Sequence, residues 1–282
     1  MLNRHHDFLS SFQRQHDTRV YTKLGAKIQL HGTRSSGDVN TSLGNTAIQL
    51  LTTHWVCATV GLQDYHIYLD GDDAIVFLRP DALGYFVATA PDTYARAGLK
   101  TKIEGIATHY NELVFCSGIF VHTAKGVRHI RNPGKFLCTT PYSTQPLSKR
   151  QSVERGRQVA RCAAIGHSNV PILGALCRLW TRLTNANDQN CQNLDQDLHF
   201  KVLKEDHVID NSPPTSQGRD DFMVATKISP AEQRACEDYL DSIACPKPYQ
   251  RIEHPALTHM AENYLGHSID LFKRTVYEHC ST

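Results

Sequence analysis

The chain has 282 residues, of which 40% are hydrophobic and 21% charged, a globular composition that excludes a disordered chain. Its 30 Lys and Arg against 28 Asp and Glu leave a net charge of +2, so nucleic-acid binding has to come from local patches. The nine cysteines form no CxxC pair and the sixteen histidines no HExxH, which argues against a zinc ribbon or a metalloprotease helix. Scattered thiols of this kind predict a reduced, intracellular protein.

In chain order, MLNRHHDFLSSF lacks an apolar core and predicts no signal peptide. Phe8, Leu9 and Phe12 stand at helical spacing and predict a short helix over residues 4–16. KIQLH, residues 27–31, alternates like a strand, and a loop with Gly32, Ser35, Ser36 and Gly37 follows. Residues 43–60 predict a long helix with Leu43, Ala47, Leu50, Leu51 and His54 along one side. Residues 50–62 are too polar and too short to span a bilayer, so no transmembrane segment is expected. YHIYLDGDDAIVFL, residues 65–78, is two apolar strands around Asp70-Gly71-Asp72-Asp73, a β-hairpin with an acidic turn. Pro91 and Gly98 bound a short helix over residues 92–97. Residues 101–106 and 113–120 read as strands, and residues 127–136 as a strand or turn.

Beyond about residue 145 the pattern turns helical, over residues 148–165, 171–185, 230–242 and 255–279. Ser229, Pro230 and Glu232 form a capping box at the start of the third of these. Residues 206–221, rich in Ser, Pro, Asn and Asp, predict a surface loop. The expected fold is α+β over residues 1–145, followed by a helical part over residues 146–282.

The acidic turn carries the chemistry. Two adjacent carboxylates at a tight turn concentrate negative charge where few side chains crowd it. Magnesium takes such oxygens and fills its shell with water and substrate phosphates, the arrangement that two-metal phosphoryl transfer requires. The bland alternative is a solvated Asp-Gly turn.

A second string decides between them. Residues 32–45 read GTRSSGDVNTSLGN, and Gly71 lies 26 residues beyond Asn45. Together they resemble the SGD-x-NT-x-x-GN and GDD motifs of positive-strand RNA virus polymerases, closest to the tombusvirus-like group. Further segments are similar to that family in order. They are GLKTKIE at 98–104, ELVFCS at 112–117, Arg131-Asn132-Pro133, NVPILG at 169–174 and ISPAEQ at 228–233.

The resemblance implies an RNA-directed RNA polymerase, with a partial palm followed by an α-helical thumb, acting on nucleoside triphosphates and an RNA template with Mg2+ or Mn2+. It implies Asp72 and Asp73 as metal ligands, Asp73 the weaker. Ser36, Thr41 and Asn45 would read the ribose, whose 2′-OH suits hydroxyl and amide side chains. Gly37 would let the loop approach template backbone, and Asp38 and Asn40 would orient the network. Lys102, with Lys100 as the alternative register, would give a proton to pyrophosphate. Phe115, Cys116 and Ser117 match a strand that grips the primer end. Lys149, Arg150, Arg155, Arg157 and Arg161 on one helix, and Arg178 and Arg182 on the next, would face RNA phosphates, or else solvent.

The family also has an acidic motif upstream of the SG string. Only 35 residues precede Ser36, and their carboxylates, Asp7 and Asp17, follow no apolar strand. Residues 8–20 instead resemble the helix after that motif. The expected partner is therefore an upstream polymerase half with the fingers and the first acidic motif, in the same polyprotein or a separate chain. The expected setting is the host-cell cytoplasm, or membrane-associated replication complexes reached through other segments. The rival readings are a non-catalytic RNA-binding or assembly subunit of a divided replicase, and a reverse transcriptase, whose paired aspartates follow an aromatic residue and a spacer.

Overall fold

The computed structural model describes residues 17–21, 25–32, 41–142, 147–186, 208–244 and 252–266. The chain forms two compact units, residues 1–104 and 105–282. The helix expected at residues 4–16 lies outside the described residues.

In the first unit, β1 (Asp17–Tyr21) pairs antiparallel with β2 (Lys27–His31), Asp17 opposite His31. This corrects the expected helix over residues 8–20 at its end, because Thr18, Val20 and Tyr21 favour an extended chain once KIQLH is there to pair with. Helix α1 (Thr41–Thr59) follows, then β3 (Tyr65–Asp70) and β4 (Asp73–Leu78) as a hairpin. Helix α2 (Pro80–Arg96) runs straight through Pro91, where the sequence suggested a helix boundary. Phe86, Ala90 and Tyr94 recur every fourth residue and are all buried, so burial of that stripe outweighs the backbone bond that Pro91 cannot make. They pack with Val56, Cys57 and Val60, and Tyr65, Val76, Leu78 and Leu99 lie against this core. Thr53 and Tyr94 share a buried hydrogen bond of 2.7 Å between their hydroxyls.

The strand expected at residues 101–106 does not form. Its alternating pattern needs a neighbouring strand, and none is there among the described residues. Ile103 and Ile106 stand in solvent at the junction of the units.

The second unit opens with a 3-10 turn (Tyr110–Glu112) and a three-stranded meander of β5 (Val114–Phe115), β6 (Gly118–Thr123) and β7 (Gly126–Arg131). The single strand expected at 113–120 is thus broken at Cys116-Ser117. Asn132 then caps α3 (Pro133–Thr139) by accepting from the Lys135 N–H at 3.0 Å, which ends the strand expected to reach 136. Helix α4 (Lys149–His167) packs along α5 (Leu173–Thr184). Helix α6 (Ser216–Thr226) begins inside the expected loop, because Thr215 caps it by accepting from Gly218 N–H at 2.9 Å. Helix α7 (Pro230–Ser242) starts at the Ser229–Glu232 capping box as its sequence predicts, and α8 spans 255–266. Ile119, Val121, Ile130, Phe136, Leu176, Phe222 and Leu240 bring the meander and these helices into one core.

Two of the arginines expected to face RNA phosphates or solvent, exposed Arg178 and half-buried Arg182, also tie helices together. Arg178 forks onto Asp241, with Nε donating at 3.0 Å, and Arg182 donates to the Leu240 carbonyl at 2.9 Å, so both bind α5 to α7. Ahead of α5, Ile172 adopts φ +60°, ψ −48°, and the Leu173 N–H reaches the Pro171 carbonyl. That is a classic γ-turn, a strained form for a β-branched residue. Glu237 holds it by accepting from the Ile172 N–H at 2.9 Å, and Arg219 in turn holds Glu237.

Candidate functional site

The β3–β4 register runs from Tyr65 opposite Leu78 to Asp70 opposite Asp73, leaving Gly71 and Asp72 as a two-residue loop. Gly71 takes φ +66° and Asp72 a negative φ, the pattern of a type II′ turn, which matches the twist of the strands and favours glycine at its first position. Alternation sends Tyr65, Val76 and Leu78 to the core. The other face carries the pairs His66–Phe77, Tyr68–Ile75 and Asp70–Asp73. Like charges directly opposite each other destabilise a hairpin, so Asp70 and Asp73, with exposed Asp72 between them, are not there to help it fold.

A hydrogen bond ties this turn to α1. The Gly71 N–H donates to Thr46 Oγ1 at 2.8 Å. It joins the two strings that the sequence set 26 residues apart. Thr41 and Asn45 stand four apart in the first turns of α1 and share a face there. Thr46, the next residue, was absent from the sequence reading. Its only signal was its place beside Asn45, since a bond from a turn N–H to a hydroxyl has no sequence pattern. Ser36, Gly37, Asp38 and Asn40 lie outside the described residues.

The remaining candidates are placed as follows. Lys102 is exposed and held by Glu104, with Nζ 3.2 Å from Oε1, rather than by a residue of the hairpin. In the second unit, Phe115 is buried. Cys116 and Ser117 form the β5–β6 loop with φ +47° and +56°, a type I′ combination that Asn-Gly would adopt with less strain. His129 Nε2 meets the Phe115 carbonyl at 2.8 Å and the Asn132 N–H meets that of Ser117 at 3.0 Å, holding the turn from both sides.

Among the described residues, no three Asp, Glu, His or Cys side chains converge as a metal site. Asp72 and Asp73 are oxygen donors of the kind magnesium accepts, and one or two carboxylates suffice when substrate phosphates and water complete the shell. The donors present fit one part of a two-ion site. The six described cysteines, Cys57, Cys116, Cys138, Cys162, Cys177 and Cys236, form no disulfide among the described residues.

The family described as viral RNA dependent RNA polymerase matches residues 3–247. The RNA-directed RNA polymerase of groundnut rosette virus (strain MC1) is 27% identical over 237 residues, 78% of this chain and 26% of that protein. That of pothos latent virus (isolate Pigeonpea/India) is 28% identical over 226 residues, covering 77% of this chain and 29% of that protein. That of turnip crinkle virus is 24% identical over 222 residues, covering 77% and 28%. The chain therefore spans between 26% and 29% of the length of these relatives.

Proposed function

Because the chain belongs to the family of viral RNA-dependent RNA polymerases, we propose that it contributes the GDD palm segment and the thumb to template-directed nucleotidyl transfer. The observation that carries this reading is the Gly71–Thr46 hydrogen bond, which sets the first turns of α1 beside the carboxylate turn. In this reading residues 1–145 belong to the palm and residues 146–282 to the thumb.

Asp72 holds a divalent cation directly and Asp73, next along an extended strand and turned to the other side, acts more weakly. A magnesium or manganese ion held by Asp72 and Asp73 would supply charge neutralisation for the phosphoryl transfer. Thr41 and Asn45, with Ser36, hydrogen-bond the incoming ribose, while Gly37, Asp38 and Asn40 shape the loop before them. Lys102 gives its proton to the departing pyrophosphate once Glu104 releases it. Phe115, Cys116 and Ser117 support the primer end, and the strain of the Cys116-Ser117 turn is the cost of presenting those side chains. The rest of the polymerase supplies the fingers and the first acidic motif, and the complete enzyme acts on RNA in the host-cell cytoplasm, or at membranes through segments outside this chain.

The test is extension of an RNA primer by the completed enzyme carrying Asp72→Asn or Asp73→Asn. The swap is nearly isosteric and removes charge beside the cation. Asp72→Asn should lower the rate by more than about a hundredfold, since charge stabilisation by the ions is worth several kcal/mol. Asp73→Asn should retain measurable synthesis with an altered magnesium-to-manganese preference. RNA affinity at fixed salt should be unchanged in both, because phosphate contacts come from basic residues elsewhere. Full activity in Asp72→Asn would reduce the GDD to a hairpin turn and favour a non-catalytic RNA-binding subunit.

A further inference from the structure

The first unit is underfilled for its size. Its core holds six buried hydrophobic residues among those described, against twenty in the main core of the second unit. Among the described residues both of its sheets have two strands, and two strands alone are marginal in water.

Helix α1 shows where the shortfall lies. Its nineteen residues, TSLGNTAIQLLTTHWVCAT, contain no Asp, Glu, Lys or Arg. Thr53, Val56 and Cys57 are buried on one side. On the other, Ile48, Leu51 and Trp55 are 48%, 71% and 40% exposed, and exposed Ala47 and Ala58 continue the stripe. Spacings of three and four put these side chains on one face. Arg96 lies 5.5 Å over the Trp55 ring and marks its margin. A contiguous apolar stripe in solvent marks an interaction surface.

The chemistry of the stripe selects its occupant. Helix α1 itself carries no cation for RNA phosphates, and Arg96 at its margin lies over the Trp55 ring. A helix lying on a lipid surface carries Lys or Arg on its polar side, and α1 has none on any side. A second copy of this chain would bring a second unfilled unit and no new carboxylate. The relatives, by contrast, have roughly three quarters of their length outside the matched segment.

We propose, resting on the polymerase reading above, that the Ile48-Leu51-Trp55 face of α1 is the docking surface for the remaining part of the polymerase, through an apolar face of that polypeptide. Docking there places the arriving part on the helix that already holds the GDD turn through Thr46. Assembly of the active site and completion of the core are then one event.

The test co-expresses the 282-residue chain with groundnut rosette virus polymerase from which the segment matching this chain is deleted. The wild-type chain should co-elute with it in equal amounts. Ile48→Glu/Leu51→Glu changes only exposed positions and should keep the helical circular dichroism of the wild type, yet co-elute at least tenfold less. Ile48→Val/Leu51→Met should co-elute normally. Asp72→Asn should also co-elute normally while extending no primer, which separates docking from chemistry. Co-elution without templated synthesis by the wild type would leave the docking face standing and count against the polymerase reading. Failure of the wild type to co-elute would overturn the proposal, as would equal co-elution of the double Glu variant. So would a dimer of this chain, or binding to phosphatidylcholine–phosphatidylserine vesicles, that the double Glu variant abolishes.

Discussion

At the scale of single residues, Thr46 and His167 show two ways in which a side chain matters without being a catalytic group. Thr46 accepts the Gly71 N–H, so it sets the distance between the carboxylate turn and Asn45. Thr46→Val keeps the shape and removes the acceptor. In the completed enzyme it should slow extension and leave selection of ribo- over deoxyribonucleotides intact. Asn45→Ala should do the reverse and relax sugar selection by a larger factor than it slows the rate, because a site built to bond a hydroxyl rejects analogues through its own unpaired groups. Competition between ATP and dATP for single-nucleotide incorporation measures both. Equal sugar selection in Asn45→Ala and wild type would remove Asn45 from the ribose site.

His167 sits in the second unit, its ring 4.6 Å from that of Phe136. Burial pushes its pKa down to about 4, with Arg128, Arg131 and His129 nearby opposing a further charge. A histidine whose folded pKa lies below its unfolded value of about 6.5 binds a proton more readily when unfolded. Its contribution is therefore complete above pH 6.5 and is lost as the pH falls from 6.5 toward 4. The loss should be on the order of 3 kcal/mol. Urea unfolding of the chain between pH 7 and pH 4.5 should show this slope, and His167→Phe should flatten it. A slope unchanged in that variant would assign the acid sensitivity to other groups.

At the scale of elements, the fully buried Asp221 joins α6 to the meander. Its carboxylate accepts from the Tyr110 hydroxyl at 2.9 Å, Asn111 Nδ2 at 3.0 Å, the His122 N–H at 2.8 Å and Gln217 Nε2 at 2.9 Å. Gly218 permits the approach, because a Cβ there would collide with the His122 carbonyl. These bonds fix β6, the strand that begins at the Cys116-Ser117 turn. Asp221→Ala would leave the half-buried Tyr110, Asn111 and His122 donors without their shared acceptor, at a combined cost on the order of 1–3 kcal/mol. It should lower the urea midpoint of the second unit strongly, while Asp220→Ala, its exposed neighbour, should leave it within error. A small effect in Asp221→Ala would mean that the donors find other partners. The sequence placed Asp221 at the end of a surface loop, since nothing local distinguishes a buried aspartate from a solvated one.

At the scale of the whole molecule, the proposed polymerase role uses Asp72 and Asp73 as part of a two-ion site and the exposed Ile48-Leu51-Trp55 face of α1 as an interface. Purified alone, with RNA template, primer, nucleoside triphosphates and magnesium, it should give no templated extension, because no third acidic ligand converges on Asp72 and Asp73 among the described residues. Mixing it with the remaining part of a polymerase should restore synthesis. Robust extension by the chain alone would show that its own residues complete the site.

The sequence by itself determined the features that are local. The GDD hairpin, its register and its acidic loop follow from alternation and turn chemistry within fourteen residues. Periodicity gave helix α1 but not its packed side, since the expected stripe of Leu43, Ala47, Leu50, Leu51 and His54 is exposed and Thr53, Val56 and Cys57 are buried, while the start of α7 follows from its capping box and the family from two strings at fixed spacing. Only the tertiary structure decided the rest. Pro91 lies inside α2 because Phe86, Ala90 and Tyr94 are buried together, and residues 101–106 form no strand because none lies beside them. Arg178 and Arg182 bind α7, and Thr46 meets Gly71, because elements separated in sequence pack side by side. The division has one physical reason. Periodicity, caps and turns depend on neighbours along the chain, whereas burial and pairing depend on residues that folding alone brings near.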